Sequence, residues 1–465
     1  MAKLRNRSER GVGAAVVILV ALAAVVFLAL GLKLASNRAP VLSLAKQVRG
    51  LGLKTEFTVQ ASDTRYNLKE LSLEVWQNGQ RIHQTSMVMS ARPARSGWKF
   101  WAAKPPSTAS WSIPAGRDVV PALKEGHATV RISARNDSWG RFFRGGRTEL
   151  LLDLPVHFMP PQVGVLTSQH YINQGGCDMV MFTISAGTQE SGVQVGPYFF
   201  TSFPVKDSIP LTRLALFAYP YNVDPSVPAR IVARDDAGNE TLANFTYRVF
   251  PKKFHTDTIP LDDTFMNRVV PPILGQSPEI NDQGDLLKNF LEINGHLRQI
   301  DGERLVELSH HTTPSFQWKG AFLRLPSKTE ASFADYRTYT YNGQVVDHQT
   351  HLGFDLAQSE HMPIRASNDG TVAFAGFFGI FGNAVIIDHG CGLQSLYGHM
   401  SSIAVKQGDQ VKREQEIGRS GLTGLAGGDH LHLTMLLDGV PVNPIEWWDP
   451  HWIHDRIEAK LQPYR

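Results

Sequence analysis

Short alternations of apolar and polar residues dominate the chain after its first forty positions. Leu71, Leu73 and Val75 alternate before Asn78-Gly79, and Ala128, Val130, Ile132 and Ala134 alternate before Asn136-Asp137. A period of two closed by turn-forming residues predicts half-buried antiparallel strands. The phrase ISARND, Ile132 to Asp137, returns as IVARDD, Ile231 to Asp236, about one immunoglobulin-sized module later. This echo predicts two successive copies of one β-sandwich, over residues 39–157 and 158–255. Pro155, Pro160 and Pro161 fall at the junction, where proline is expected because it has no place in central strands. From Asp257 to about Leu308 the alternation stops, and Leu286, Phe290, Ile293 and Leu297 recur at helical spacing. Residues 256–312 therefore read as a helical connector whose apolar stripe packs on a neighbouring domain rather than receiving a partner helix. From Ser315 short strands with glycine-rich turns resume, and a helix around Pro444 to Leu461 closes a last β-rich domain, residues 313–465. The predicted fold class is mostly β.

The first residues differ. Gly11 to Leu32 carries no charge, and at ~1.5 Å per residue it spans about the ~30 Å of a bilayer core. It reads as a transmembrane signal anchor within residues 1–38, since the apolar stretch of a cleaved signal peptide usually runs only ~7 to 15 residues. Lys3, Arg5, Arg7 and Arg10 precede it and Lys33, Arg38, Lys46 and Arg49 follow it, so flanking charge leaves the orientation open.

Composition changes this picture little. At 465 residues the chain exceeds a single core and calls for roughly three domains. A formal charge of +3 without blocks of like charge gives no footprint for nucleic acid. The two cysteines, Cys177 and Cys391, are too far apart for a local framework and are expected to stay unpaired.

The chemistry lies in the last domain. Water-accessible catalytic zinc is held by three protein ligands of the His and carboxylate kind, which leaves a fourth position open. His430-Leu431-His432 sits in an alternating stretch, where residues i and i+2 face the same way about 7 Å apart. His351 and Asp355, four residues apart, would stand about 13 Å apart on an ideal strand, and Gly353 between them permits a bend. With 17 histidines in the chain, an HxH pair arises by chance roughly 0.6 times and an HxxxD roughly once. Taken singly, His351 with Asp355 is a surface or capping pair, and His430 with His432 is a polar strand face. What distinguishes them is the ordered set: HxGxD, a β-rich stretch, Tyr397-Gly398-His399, then a glycine-rich loop opening onto HxH.

Through HLGFDLA (His351 to Ala357), GNAVIIDHG (Gly382 to Gly390), LYGHMSS (Leu396 to Ser402), IGRSGLTG, HLHL and PVNPIEWW (Pro441 to Trp448), the chain resembles the lysostaphin-like, LytM-type zinc metallopeptidases. The resemblance covers roughly Trp318 to Asp449. It implies a lysostaphin-like peptidase fold, one zinc ion per chain held by His351, Asp355 and His432, and catalytic roles for His399 and His430. It leaves open which of those two accepts a proton. It also implies peptidoglycan peptides as substrate and an endopeptidase activity, hence an envelope location. The expected topology is a single pass through the cytoplasmic membrane with the larger part in the periplasm or envelope space. The sandwich modules would then serve as spacers or as regulators covering the groove, with protein regulators as further partners. Two rivals remain: a catalytically silent scaffold that activates other wall hydrolases, and a zinc peptidase acting on envelope proteins. The chain departs from the family pattern at Gly428-Asp429 before the HxH pair and at Leu433-Thr434 after it. Thr434, two residues past His432, lies on the same strand face and is placed to orient a ligand. His310, His311, His361, His389 and Cys391 read as structural, and Trp447, Trp448 and Trp452 as packing residues.

Overall fold

A computed structural model of the chain describes residues 20–32, 34–35, 38–89, 107–138 and 140–464. Its contacts divide it into two compact units, Met1–Pro160 with Asp235–Asn239, and Pro161–Arg234 with Glu240–Arg465.

The first unit holds a three-stranded sheet, Val41–Leu44, Glu56–Asp63 and Ser107–Pro114, and a four-stranded one ordered Gln80–Val88, Leu68–Gln77, Gly126–Asn136, Arg147–Val156. Their alternating apolar residues, among them Phe57, Val59, Leu73, Val75, Val130 and Ile132, share one core. The two sheets thus pack as a β-sandwich.

The second unit opens with two four-stranded sheets. Strands Phe203–Pro204, Thr212–Ala218, Cys177–Ile184 and Val163–Val165 form one sheet, and Tyr198–Thr201, Thr188–Val195, Ala229–Asp235 and Glu240–Ala243 the other. The strand carrying IVARDD is third in its four-stranded sheet, as the strand carrying ISARND is third in its own.

This second sandwich does not stand apart from the C-terminal domain. Met179, Phe217 and Tyr219 lie in one continuous core with Leu393, Met435, Val442 and Trp447. Trp447 is wholly buried and packs edge-on against Trp318 and Phe322, with ring centroids 5.7 and 5.5 Å away. The buried Glu446 carboxylate reaches into the sandwich, accepting from the Cys177 amide at 2.8 Å and Asn173 Nδ2 at 3.1 Å. Half-buried Lys460 pairs with buried Asp178 at 2.5 Å.

The connecting segment begins with a strand that its sequence did not announce. Thr256–Leu261 pairs in parallel with Asp335–Tyr341, and only from Asp263 does the chain turn helical. The strand is mostly exposed and so lacks a clean alternation. Helices Asp263–Leu274, Leu286–Glu292 and Arg298–Ser309 follow, and Phe290, Ile293 and Leu297 pack with Tyr339 and Ile380 of the last domain. That domain is built on an antiparallel sheet ordered Lys328–Ala331, Phe354–Ala357, Leu431–Leu437, Leu393–Gly398, Asn383–Gly390, Gly370–Phe377, Gln410–Val411, with Val440–Val442 also on Leu431–Leu437.

Residues 11–19 of the expected transmembrane helix, Gly11 to Leu32, lie outside the described residues. Residues 20–32 are helical, yet among the described residues no helix is long and apolar enough to cross a membrane.

Candidate metal centre

Three adjacent strands bring the motifs together. Asp355 on Phe354–Ala357 pairs directly with His432 on Leu431–Leu437, and His432 pairs on its other side with Gly398, the residue before His399. His351 ends the strand Gln344–His351, and the chain breaks at Leu352-Gly353 before Phe354. The glycine expected to permit a bend is demanded here by space: a Cβ on Gly353 would lie 2.5 Å from His432 Nε2 and 2.7 Å from Thr434 Oγ1.

His351 Nε2 lies 3.0 Å from Asp355 Oδ1 and 3.1 Å from His432 Nδ1, and the latter two are 2.9 Å apart. All three residues are buried. Their outer nitrogens are already committed. His351 Nδ1–H donates to the Ser332 carbonyl at 2.9 Å. Thr434 Oγ1 donates to the Leu352 carbonyl, so it accepts from His432 Nε2–H, each at 3.0 Å. The inward atoms are therefore three lone pairs facing one another. A proton on one imidazole would serve one pair; a cation at the centre serves all three. Donors about 3 Å apart suit three corners of a tetrahedron with ~2.0–2.1 Å bonds, and the set of two imidazoles and a carboxylate suits zinc.

Two further imidazoles flank the set. His399 adopts a left-handed backbone, φ 62°, which lifts its side chain out of the strand alternation. Its amide donates to the Phe381 carbonyl at 2.7 Å, and its Nδ1–H to the Thr423 carbonyl at 2.8 Å. His430 Nδ1–H donates to the Gly428 carbonyl at 2.7 Å, which leaves Nε2 3.3 Å from Asp355 Oδ1. The His399 and His430 rings are 4.9 Å apart. Both rings line a cavity of about 610 Å³ with the three donors.

The electrostatics follow from burial and from Asp355. Burial opposes ionisation of Asp355, but the charge and hydrogen bond of His351, with the hydrogen bonds of His430 and His432, hold its carboxyl well below the usual range. Burial drives His399 well below an ordinary imidazole, helped by the charges of His430 and His432. Burial opposes protonation of His430 too, yet its hydrogen bond to Asp355 and the charge of that carboxylate raise it overall.

The remaining sequence candidates lie elsewhere. His389 is wholly buried between the Asp369 carbonyl and Ser395 Oγ, each 2.7 Å away, and burial lowers it to about 4. His310 and His311 follow the end of helix Arg298–Ser309. His361 is exposed and takes Asp429 Oδ2 on its amide at 3.1 Å. Cys177 and Cys391 are both buried and free. Sequence reasoning missed Arg337, whose Nη2 lies 3.1 Å from Asp355 Oδ2, and Phe381, whose ring centroid is 5.4 Å from that of His432. An arginine in an alternating strand and a phenylalanine in a turn carry no motif.

The model of the family described as Peptidase family M23 matches residues 349–444, which include His351, Asp355, His399, His430 and His432. The chain carries a peptidase family M23 domain. Over 95 residues the chain is 43% identical to the DD-carboxypeptidase/endopeptidase Mpg of Neisseria meningitidis serogroup B (strain ATCC 13091 / M2091), covering 20% of this chain and 22% of that one. It is 29% identical over 171 residues to the peptidoglycan DD-endopeptidase ShyA of Vibrio cholerae, covering 37% of each. The chain thus spans well under half the length of these relatives. Among solved structures it is similar to the catalytic domain of lysostaphin from Staphylococcus simulans, with 28% identity, a TM-score of 0.23, and coverage of 26% of this chain and 90% of that one.

Proposed function

We propose that the M23 domain is a zinc endopeptidase that hydrolyses peptide bonds in the stems or cross-links of peptidoglycan at the cell envelope. The observation that carries this reading is the convergence of three lone pairs, each oriented by a hydrogen bond on the far side of its ring or carboxylate, with two further imidazoles beside them. His351 Nε2, Asp355 Oδ1 and His432 Nδ1 would hold one zinc ion per chain. Bound there, zinc lowers the pKa of a coordinated water and polarises a carbonyl oxygen.

The other parts belong to the chain. His399 and His430, each pinned through Nδ1–H to a backbone carbonyl, turn Nε2 toward the cavity. They orient the attacking water and stabilise the charge that develops on the tetrahedral intermediate. Arg337, on the outer oxygen of Asp355, fixes that carboxylate in angle. The name of ShyA, a peptidoglycan DD-endopeptidase, supports peptidoglycan as the substrate class. The complete donor set weighs against a silent scaffold.

The proposed location is the cytoplasmic membrane, crossed once by Gly11 to Leu32, with the M23 domain on the envelope side. The uncharged sequence supports it, as does the exposure of Val20, Phe27 and Leu28 on helical residues 20–32.

The chain from Ala39 onward tests the reading through zinc content and release of peptides from purified peptidoglycan. About one zinc per chain is expected, with His432→Ala losing metal and activity and His399→Ala losing activity alone. A wild type that binds no zinc and releases nothing overturns the reading.

A further inference from the structure

His399 stands in the left-handed region at φ 62°, and a residue other than glycine keeps that backbone only where its surroundings hold it. Two hydrogen bonds do so: its amide reaches the Phe381 carbonyl at 2.7 Å, and its Nδ1–H the Thr423 carbonyl at 2.8 Å. Both acceptors belong to one knot of chain. Phe381 closes the short turn Gly379–Phe381, the Leu425 amide donates to the Ile380 carbonyl at 2.9 Å, and the Asn383 amide donates to Thr423 Oγ1 at 2.9 Å. Moving the turn therefore moves both holds on His399.

The turn is fastened from outside the residues 349–444 that the family model matches. Asp301, on the helix Arg298–Ser309 of the connecting segment, has no exposed surface and accepts the Ile380 amide through Oδ2 at 2.9 Å. The contact is so close that Gly379, at φ 47°, has no room for a side chain: a Cβ there would collide with both carboxylate oxygens. Among the described residues the other oxygen, Oδ1, has no hydrogen-bond partner, and Arg304 Nη1 lies 3.6 Å from it. Burial pushes this carboxyl up to about 6, against the Ile380 hydrogen bond and the charges of Arg304 and Arg298. A buried carboxyl with one oxygen left without a hydrogen bond is costly at a position that only fills space, where an apolar side chain of similar shape would serve. What Asp301 supplies and an apolar residue does not is a directional hold on the Ile380 amide.

We propose that Asp301 is a positioning residue for His399: it clamps the Gly379–Phe381 turn, and the turn holds the imidazole in place beside the donor triangle. A helix of the connecting segment thereby becomes part of the catalytic apparatus. The effect on rate rests on the peptidase reading, whereas the effect on the turn does not. Asp301 does not line the cavity, so it acts on the reaction only through the residues it holds. The metal donors are oriented independently, by Ser332, Arg337 and Thr434, none of which hangs from the turn. Loss of the clamp should therefore spare the metal and misplace His399, and a displacement of about 1 Å can cost roughly 100-fold in rate.

The test uses the full zinc-loaded chain and two readouts, hydrogen exchange of backbone amides and the kinetics of peptide release from solubilised peptidoglycan. Asp301→Ala should speed exchange at Ile380, His399 and Leu425 by about tenfold or more, while the amides of strand Leu431–Leu437 exchange as in the wild type. Its kcat should fall by roughly 10- to 100-fold with KM and zinc content at wild-type levels. Asp301→Asn, which keeps an acceptor for the Ile380 amide, should recover most of both. In a His399→Ala background Asp301→Ala should cost no further rate, because residues that act through one group are not additive. Unchanged exchange at the three amides overturns the clamp, as does faster exchange that extends over Leu431–Leu437, the mark of general destabilisation. Local exchange in Asp301→Ala with the kcat of an active wild type overturns the positioning role. Local exchange in a chain whose wild type releases no peptide would keep the clamp and remove the peptidase reading.

Discussion

Thr434 Oγ1 and His432 Nε2 are 3.0 Å apart, and the same hydroxyl spends its only proton on the Leu352 carbonyl. That single commitment fixes the His432 tautomer and leaves Nδ1 as the inward lone pair. The threonine is 2% exposed, so no water is at hand to take its place. Thr434→Val should lower zinc affinity by about 10- to 100-fold, the usual effect of losing such an outer partner, whereas Thr434→Ser should stay near wild type. A competition titration with a chelating indicator reads the difference.

Gly353 is the second point of intolerance. Because its added Cβ would meet His432 Nε2 at 2.5 Å and Thr434 Oγ1 at 2.7 Å, Gly353→Ala forces the imidazole away from Asp355. A stability loss of about 1–3 kcal/mol is expected from overpacking, together with sub-stoichiometric zinc. Metal analysis of the folded variant, beside a thermal melt, checks both.

Asp438 makes stability depend on pH. Burial pushes its carboxyl up to about 7, against an opposing hydrogen bond from the Thr201 amide. The folded chain then holds this proton where the unfolded chain, near ~3.9, has released it. The unfolded state binds fewer protons across that window, so this group's contribution falls as pH rises from about 4 to 7 and stays lost above. Asp438→Asn keeps an acceptor, and asparagine tolerates the φ of 45° found there. The variant should melt about 5 °C above wild type at pH 8, with the gap closing toward pH 4 to 5. A gap that does not change with pH would contradict the assignment.

The second sandwich is part of the M23 domain's own core. Cutting the chain before residue 313 would uncover Trp447, Leu393 and Met435 and strand the Glu446 carboxylate without its Cys177 and Asn173 donors. Residues 313–465 alone should aggregate or melt well below the fragment beginning at Pro161, which retains that core. Static light scattering and thermal melts of the two fragments decide it.

Much of the candidate site was legible in the sequence because its motifs follow one another in the order that the family resemblance implies, although only His430 and His432 sit at a strand spacing. His351, Asp355, His399, His430 and His432 come together as the ordered motifs imply, and Thr434 lies on the face read for it. The sandwiches too could be read, since each buries one side of its strands. The shared core of the second sandwich and the C-terminal domain could not, because Met179 or Trp447 is buried in the same way whichever neighbour covers it. Strand Thr256–Leu261 escaped because an exposed edge strand has little alternation.

The pairing of Asp355 with His432, and of His432 with Gly398, has a consequence for how the chain matures. In an antiparallel sheet, slipping one strand by a single residue turns every side chain on it to the opposite face. A molecule threaded that way keeps most of its backbone hydrogen bonds and loses all convergence of its donors. Only the correctly threaded isomer can then gain the stabilisation that binding confers by mass action. The ion would thus act during folding as a proofreader, drawing the population toward one registry before any substrate is met.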